Sequence, residues 1–102
     1  PQRPPISLLE PSDSGVFSKN EEITFSWSGG GTLEENQYFD LRVWKEGAPN
    51  YGIVDAYASS HTLRGDQIGS GEYYWSIAVM DRTSGQPIEL VPQAPPRKII
   101  IN

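Results

Sequence analysis

Any chemistry in this chain has to start from His61, its one imidazole, and from two carboxylate pairs, Glu21-Glu22 and Glu34-Glu35. With no cysteine in the sequence, structural zinc ligand sets are missing, and a hydrolase dyad would rest wholly on His61. The glutamate pairs match the residue types of a glycosidase, which needs one carboxyl as acid and another as base or nucleophile at a held separation. Both pairs sit beside glycine- or serine-rich turns, and solvated loop charge accounts for them better. Asp13 offers a single oxygen ligand for calcium and nothing around it supports a site. Gly29-Gly30-Gly31 lacks the lysine and the following helix of a phosphate-binding loop. No catalytic residue, cofactor or metal is expected.

Composition narrows the partners. The chain has 102 residues with 13 acidic and 8 basic side chains, a net charge of −5 spread along its length. That sign disfavours nucleic acid and anionic membrane surfaces. The apolar runs are too short to cross a bilayer, and no charged-then-apolar leader opens the sequence, so direct membrane insertion is not expected. A chain of this length buries enough apolar surface to fold as one domain without a staple. The absence of cysteine leaves the redox compartment open. Prolines 1, 4 and 5 at one end and 92, 95 and 96 near the other give the look of a bead cut from a longer, multidomain protein.

The elements that must position these side chains are strands. Gly71–Asp81 is the organising stretch: Tyr73, Trp75, Ile77 and Val79 alternate with Tyr74, Ser76, Ala78 and Met80, and enrichment on both faces suits a central strand. Ile23–Ser28 alternates apolar with hydroxyl, giving one buried face and one wet one. In Gln37–Lys45, Phe39, Leu41 and Val43 form the inner face and Tyr38, Asp40, Arg42 and Trp44 the outer one. Shorter strands are expected at Ile6–Leu9, Val16-Phe17, Gly52–Tyr57, Ser60–Leu63, Ile88–Val91 and Arg97–Ile101. Turn residues separate them, Gln2–Pro5 reads as an extended linker, and nothing argues for a helix. Residues 1–5 are therefore read as linker and residues 6–102 as an all-β domain, an antiparallel sandwich or barrel.

Several pieces in order resemble one family. Leu9-Glu10-Pro11, Ile23-Thr24-Phe25-Ser26-Trp27, Tyr38-Phe39-Asp40-Leu41-Arg42-Val43-Trp44, His61-Thr62-Leu63 and Gly71-Glu72-Tyr73-Tyr74-Trp75 are together similar to the fibronectin type III and immunoglobulin-like modules of bacterial multidomain proteins. The resemblance implies an antiparallel two-sheet β-sandwich of about seven strands, with A, B and E facing C′, C, F and G. It implies that Tyr73 is a corner residue whose hydroxyl bonds backbone upstream, and that Trp27 fills the core between sheets. Gly85–Pro96 is longer than the family's hairpin loop, which leaves the path of the last strand open.

On that map strands C and F are neighbours, so Trp44 should lie near Tyr74, with Arg42 and Tyr38 extending the surface. Two readings stay open: a flat aromatic face for a sugar ring or a protein partner, with Tyr51 or Tyr57 as further candidates, or a cross-strand pair that only stabilises the sheet. Arg64-Gly65-Asp66 spells the tripeptide that integrins recognise, but three residues match by chance and Gly with Asp is ordinary turn chemistry. The expectation is a non-enzymatic spacer and protein-interaction module of an extracellular or cell-surface bacterial protein, with neighbouring domains as partners. The alternative is an accessory carbohydrate-binding module using the outward aromatics of strands C and F.

Overall fold

The computed structural model describes residues 3–48 and 52–102. Among them are nine strands: β1 (Ser7–Glu10), β2 (Gly15–Phe17), β3 (Glu22–Ser28), β4 (Gln37–Lys45), β5 (Gly52–Ala56), β6 (Ser60–Arg64), β7 (Gly71–Asp81), β8 (Ile88–Val91) and β9 (Arg97–Ile101). They form two sheets. One has the order β1-β3-β6; the other runs β2-β9-β7-β4-β5, with β8 also paired to β7.

The expected count of about seven is exceeded because the first and last strands are each broken. Past Pro11 the chain turns and leaves the first sheet, and β2 then lies parallel to β9 in the second, an exception to the expected antiparallel pairing. At the other end Ile88–Val91 and Arg97–Ile101 both run antiparallel to β7, one beside each half of it. Pro92, Pro95 and Pro96 interrupt them, since proline has no N–H for the ladder. Between the halves Ala94 still bonds β7, donating its N–H to the Ile77 carbonyl at 3.2 Å. The long loop thus folds into the first half of the last strand.

A helix was not expected, yet one turn, α1 (Gly65–Ile68), follows β6. The Gln67 amide oxygen accepts the Arg64 N–H at 2.7 Å and closes its first turn. Four residues are too few to leave a periodic signature.

The core lies between the sheets. Ile23, Phe25 and Trp27 of β3 face Phe39, Leu41 and Val43 of β4 and Trp75, Ile77 and Val79 of β7, all buried. Two edge-to-face aromatic pairs bridge the layers, Trp27 with Phe39 at 5.5 Å and Phe25 with Trp75 at 5.1 Å. Such pairs contribute about 0.5–1.5 kcal/mol each beyond their area. β4 and β7 hold an unbroken register from Gln37 opposite Asp81 to Lys45 opposite Tyr73, which makes them the rigid plate of the molecule.

The Tyr73 hydroxyl reaches back to the Ile68 and Ser70 carbonyls at 3.2 and 3.3 Å, as a corner residue should. Tyr73→Phe is expected to lower the urea midpoint by the equivalent of about 1 kcal/mol with an unchanged slope. An unmoved midpoint would show that the bond adds nothing.

The leading segment is held to the body. Arg3 donates to the Gly30 and Thr32 carbonyls at 2.8 and 3.1 Å and to the Gln37 side-chain oxygen, and the Pro4 carbonyl accepts the Gly30 N–H. The three glycines allow this approach: all have φ between +81° and +87°, and a Cβ on Gly29 would fall on the Pro5 carbonyl oxygen. Arg3 therefore sits at the Gln37/Asp81 pole, while Ile101 pairs with Gly71 at the other. Ten strand steps along β7, about 33 Å, separate those poles.

Candidate functional site

The outer face of the larger sheet carries the residues singled out above, and β4 and β7 position them. Trp44 and Tyr74 are directly opposite in register, their ring centroids 6.1 Å apart and their planes tilted by 35°. Lys98 of β9 continues the row beyond Tyr74. Its ammonium pairs with the Glu72 carboxylate at 2.7 Å, and that carboxylate holds the Lys98 proton more tightly than usual. The Tyr74 hydroxyl donates to Glu46 at 3.4 Å, near the long limit. Both rings are half-buried, so their orientation is held before any ligand arrives.

Arg42 lies on the same face but does not extend the aromatic surface. Its guanidinium, 14% exposed, donates to Asp40 at 3.0 Å and to Gln93 at 2.9 Å and pairs with Glu89 at 3.3 Å. This band of charge covers the middle of the sheet, where Ser76 and Ala78 are fully buried on what alternation marks as the outer side. Burial pushes the Asp40 carboxyl above its ordinary value, against the pull of Arg42.

Tyr38 is withdrawn from the expected surface. It is 6% exposed, and the Arg82 guanidinium lies 4.1 Å above its ring, fixed there by Asp55. Burial, with Asp55 adding to it, raises the phenol above its ordinary value. Tyr38 and Trp44 are six residues apart on one strand, about 20 Å, with the Arg42 band between them. Tyr57 is 68% exposed but follows β5 beside Tyr38, at the far end from Trp44. Tyr51 lies outside the described residues.

The remaining candidates are accounted for locally. His61 is partly buried on β6, in register with Phe25. Glu22 begins β3 and Glu34 follows its far end, about 20 Å away, beyond the roughly 5–10 Å that separates a glycosidase's carboxyls. Glu21 accepts the Ser18 N–H and caps a turn. Asp13 accepts the Lys98 N–H at 2.9 Å. Among the described residues no group of three or more His, Cys, Asp or Glu is arranged to hold a metal ion. In the tripeptide, Arg64 and Asp66 pair with each other at 3.2 and 3.3 Å, and Gly65 is pinned by its N–H to the Glu21 carbonyl. The two charges are exposed but paired with each other.

Sequence reasoning missed a groove of about 590 Å³ between the leading segment and the broken last strand, lined by Pro5, Ile6, Leu90, Pro92 and Pro95 among others. Its polar neighbours Arg3 and Gln93 bond inward. Sequence reasoning also missed Lys98, Glu72 and Glu46, whose place beside the rings depends on strand register. The chain matches no known family, curated protein or solved structure with which it was compared.

Proposed function

We propose that the chain is a non-catalytic spacer and interaction module, of fibronectin type III or immunoglobulin-like type, within a larger bacterial protein at the cell surface or outside the cell. The observation that carries this is the opposition of the two poles: the leading segment is fixed beside Gln37 at the Asp81 end of β7 and β9 runs out at its Gly71 end, about 33 Å away. A domain entered at one pole and left at the other sets its neighbours in series. The sheet orders β1-β3-β6 and β5-β4-β7-β9 match those the resemblance implies, and the Tyr73 corner agrees with them. The half-buried Trp44–Tyr74 pair supplies a preformed contact face on the side of the molecule, three residues along β7 from the Gly71 pole.

Small-angle scattering of the parent protein with and without this domain tests the reading. Deletion should shorten the longest dimension by roughly the domain's own 41 Å long axis while leaving the activities of neighbouring domains intact. An unchanged dimension, or a turnover in the isolated domain that His61→Ala abolishes, would overturn it.

A further inference from the structure

We infer that the outer edge of β1 takes up one extended peptide strand, apolar in its middle and acidic at the end beside Arg97, a role that goes beyond spacing neighbouring domains. The edge follows from hydrogen-bond direction. Trp27 donates its N–H to the Ser59 carbonyl at 3.0 Å, so its backbone groups face β6. Leu8, opposite Trp27 in register, therefore makes a non-hydrogen-bonded pair with it, and the Leu8 N–H and C=O point away from β3. Among the described residues β1 has no neighbour in its sheet on that side. An edge with outward N–H and C=O groups is a template for another strand.

The wall opposite cannot close the gap. Pro92, Pro95 and Pro96 have no N–H to give, and Ala94 turns both its groups to β7. Its N–H goes to the Ile77 carbonyl at 3.2 Å, and its C=O accepts the Ser76 hydroxyl at 2.6 Å. What remains is a groove in two adjoining parts of about 590 and 300 Å³, both lined by Ile6, Ala94 and Pro95. Those volumes are in the range of ligand clefts. A residue paired with Leu8 shares its inward face, so an added strand sets alternate side chains against this apolar lining and the others toward water.

Charge decides the partner. Arg3 lines one part of the groove and Arg97 the other, and no carboxylate lines either, on a chain whose net charge is −5. Arg3 is already engaged with Gly30, Thr32 and Gln37 and has Glu34 at 3.9 Å. Arg97 donates to the Leu9 and Pro11 carbonyls at 2.9 and 3.1 Å. Among the described residues no carboxylate forms an ion pair with it. A partly buried guanidinium that meets only neutral acceptors complements an acid on the incoming strand. Because Arg97 stands at the Leu9 end of the edge, an antiparallel strand brings its N-terminal end there.

The test is an NMR titration of the isotope-labelled chain with the peptide acetyl-Asp-Val-Thr-Val-Thr-amide. The Leu8 amide signal should shift, and its exchange with solvent should slow about tenfold near saturation. Methylating the two valine nitrogens, which face β1 when a valine pairs with Leu8, should abolish binding while leaving the side chains intact. Lysine in place of the peptide's aspartate, or Arg97→Met in the chain, should each weaken binding about tenfold. The peptide changes keep the test decisive should Arg97→Met fail to fold. No shift at Leu8, equal binding of the methylated or lysine peptide, or shifts centred on Trp44 would overturn the inference. So would dimerisation through Leu8 without peptide, which would make a second copy the occupant. None of these results alters the length that the parent protein loses on deletion, so the spacer reading fails or stands separately.

Discussion

Trp27→Ala is expected to cost about 3–5 kcal/mol, a large part of the roughly 5–15 kcal/mol that holds a domain of this size together. Trp27 is 1% exposed at the seam between the sheets, and its ring edge meets Phe39 across the layers. Truncation removes the indole area, the aromatic contact and the wedge that spaces β3 from β4, and the rigid β4–β7 plate cannot collapse into the gap. Trp27→Phe should cost much less, about 1–2 kcal/mol, because it keeps the aromatic contact. It also removes an indole N–H that has no acceptor among the described residues. Urea unfolding followed by far-ultraviolet circular dichroism measures both. Equal losses for the two variants would show that the site tolerates no change of shape, and a negligible loss for alanine would place Trp27 outside the cooperative core.

Arg42→Ala should be the most damaging change on the outer face, at about 2–3 kcal/mol near pH 7. That lies below the about 3–5 kcal/mol of a fully buried pair because Asp40 and Glu89 keep part of their hydration. Asp40 is 14% exposed, and without the guanidinium its carboxylate faces Asp55 and Glu89 with no counter-charge from its own strand. The pH dependence follows from the sign. Burial already raises the Asp40 carboxyl in the folded protein, so ionised Asp40 opposes folding, and that opposition disappears as pH falls below its ordinary range near 3.8. Losing Arg42 raises the carboxyl further. The gap between variant and wild type should therefore be widest near neutrality and narrow on acidification through that range. A gap that is constant with pH would mean that the loss comes from the packing volume of the arginine side chain instead of from its charge.

Much of the architecture was legible because β-structure writes itself locally. Alternation in Ile23–Ser28, Gln37–Lys45 and Gly71–Asp81 has period two, and each of these segments is a strand with the expected face inward. The two-sided enrichment of Gly71–Asp81 marked the most central strand, and Ser76 and Ala78 are indeed as buried as Ile77. Trp44 opposite Tyr74 was legible too, given two antiparallel neighbours.

Local pattern could not say what covers a face. Tyr38 and Trp44 carry the same parity on one strand, yet Arg82, 44 positions later, closes over Tyr38, while Trp44 stays half-open. The Arg42 band is assembled with Glu89 and Gln93 from 47 and 51 positions away, and these reach it only because the last strand re-pairs with β7 before its prolines. Crossing of the first strand between sheets, and the groove between Pro5-Ile6 and Pro92–Pro95, likewise depend on contacts between opposite ends of the chain. Alternation is a property of neighbouring residues and can be read along the chain. Coverage of a face is settled by long-range contacts, whose energies sequence spacing does not encode.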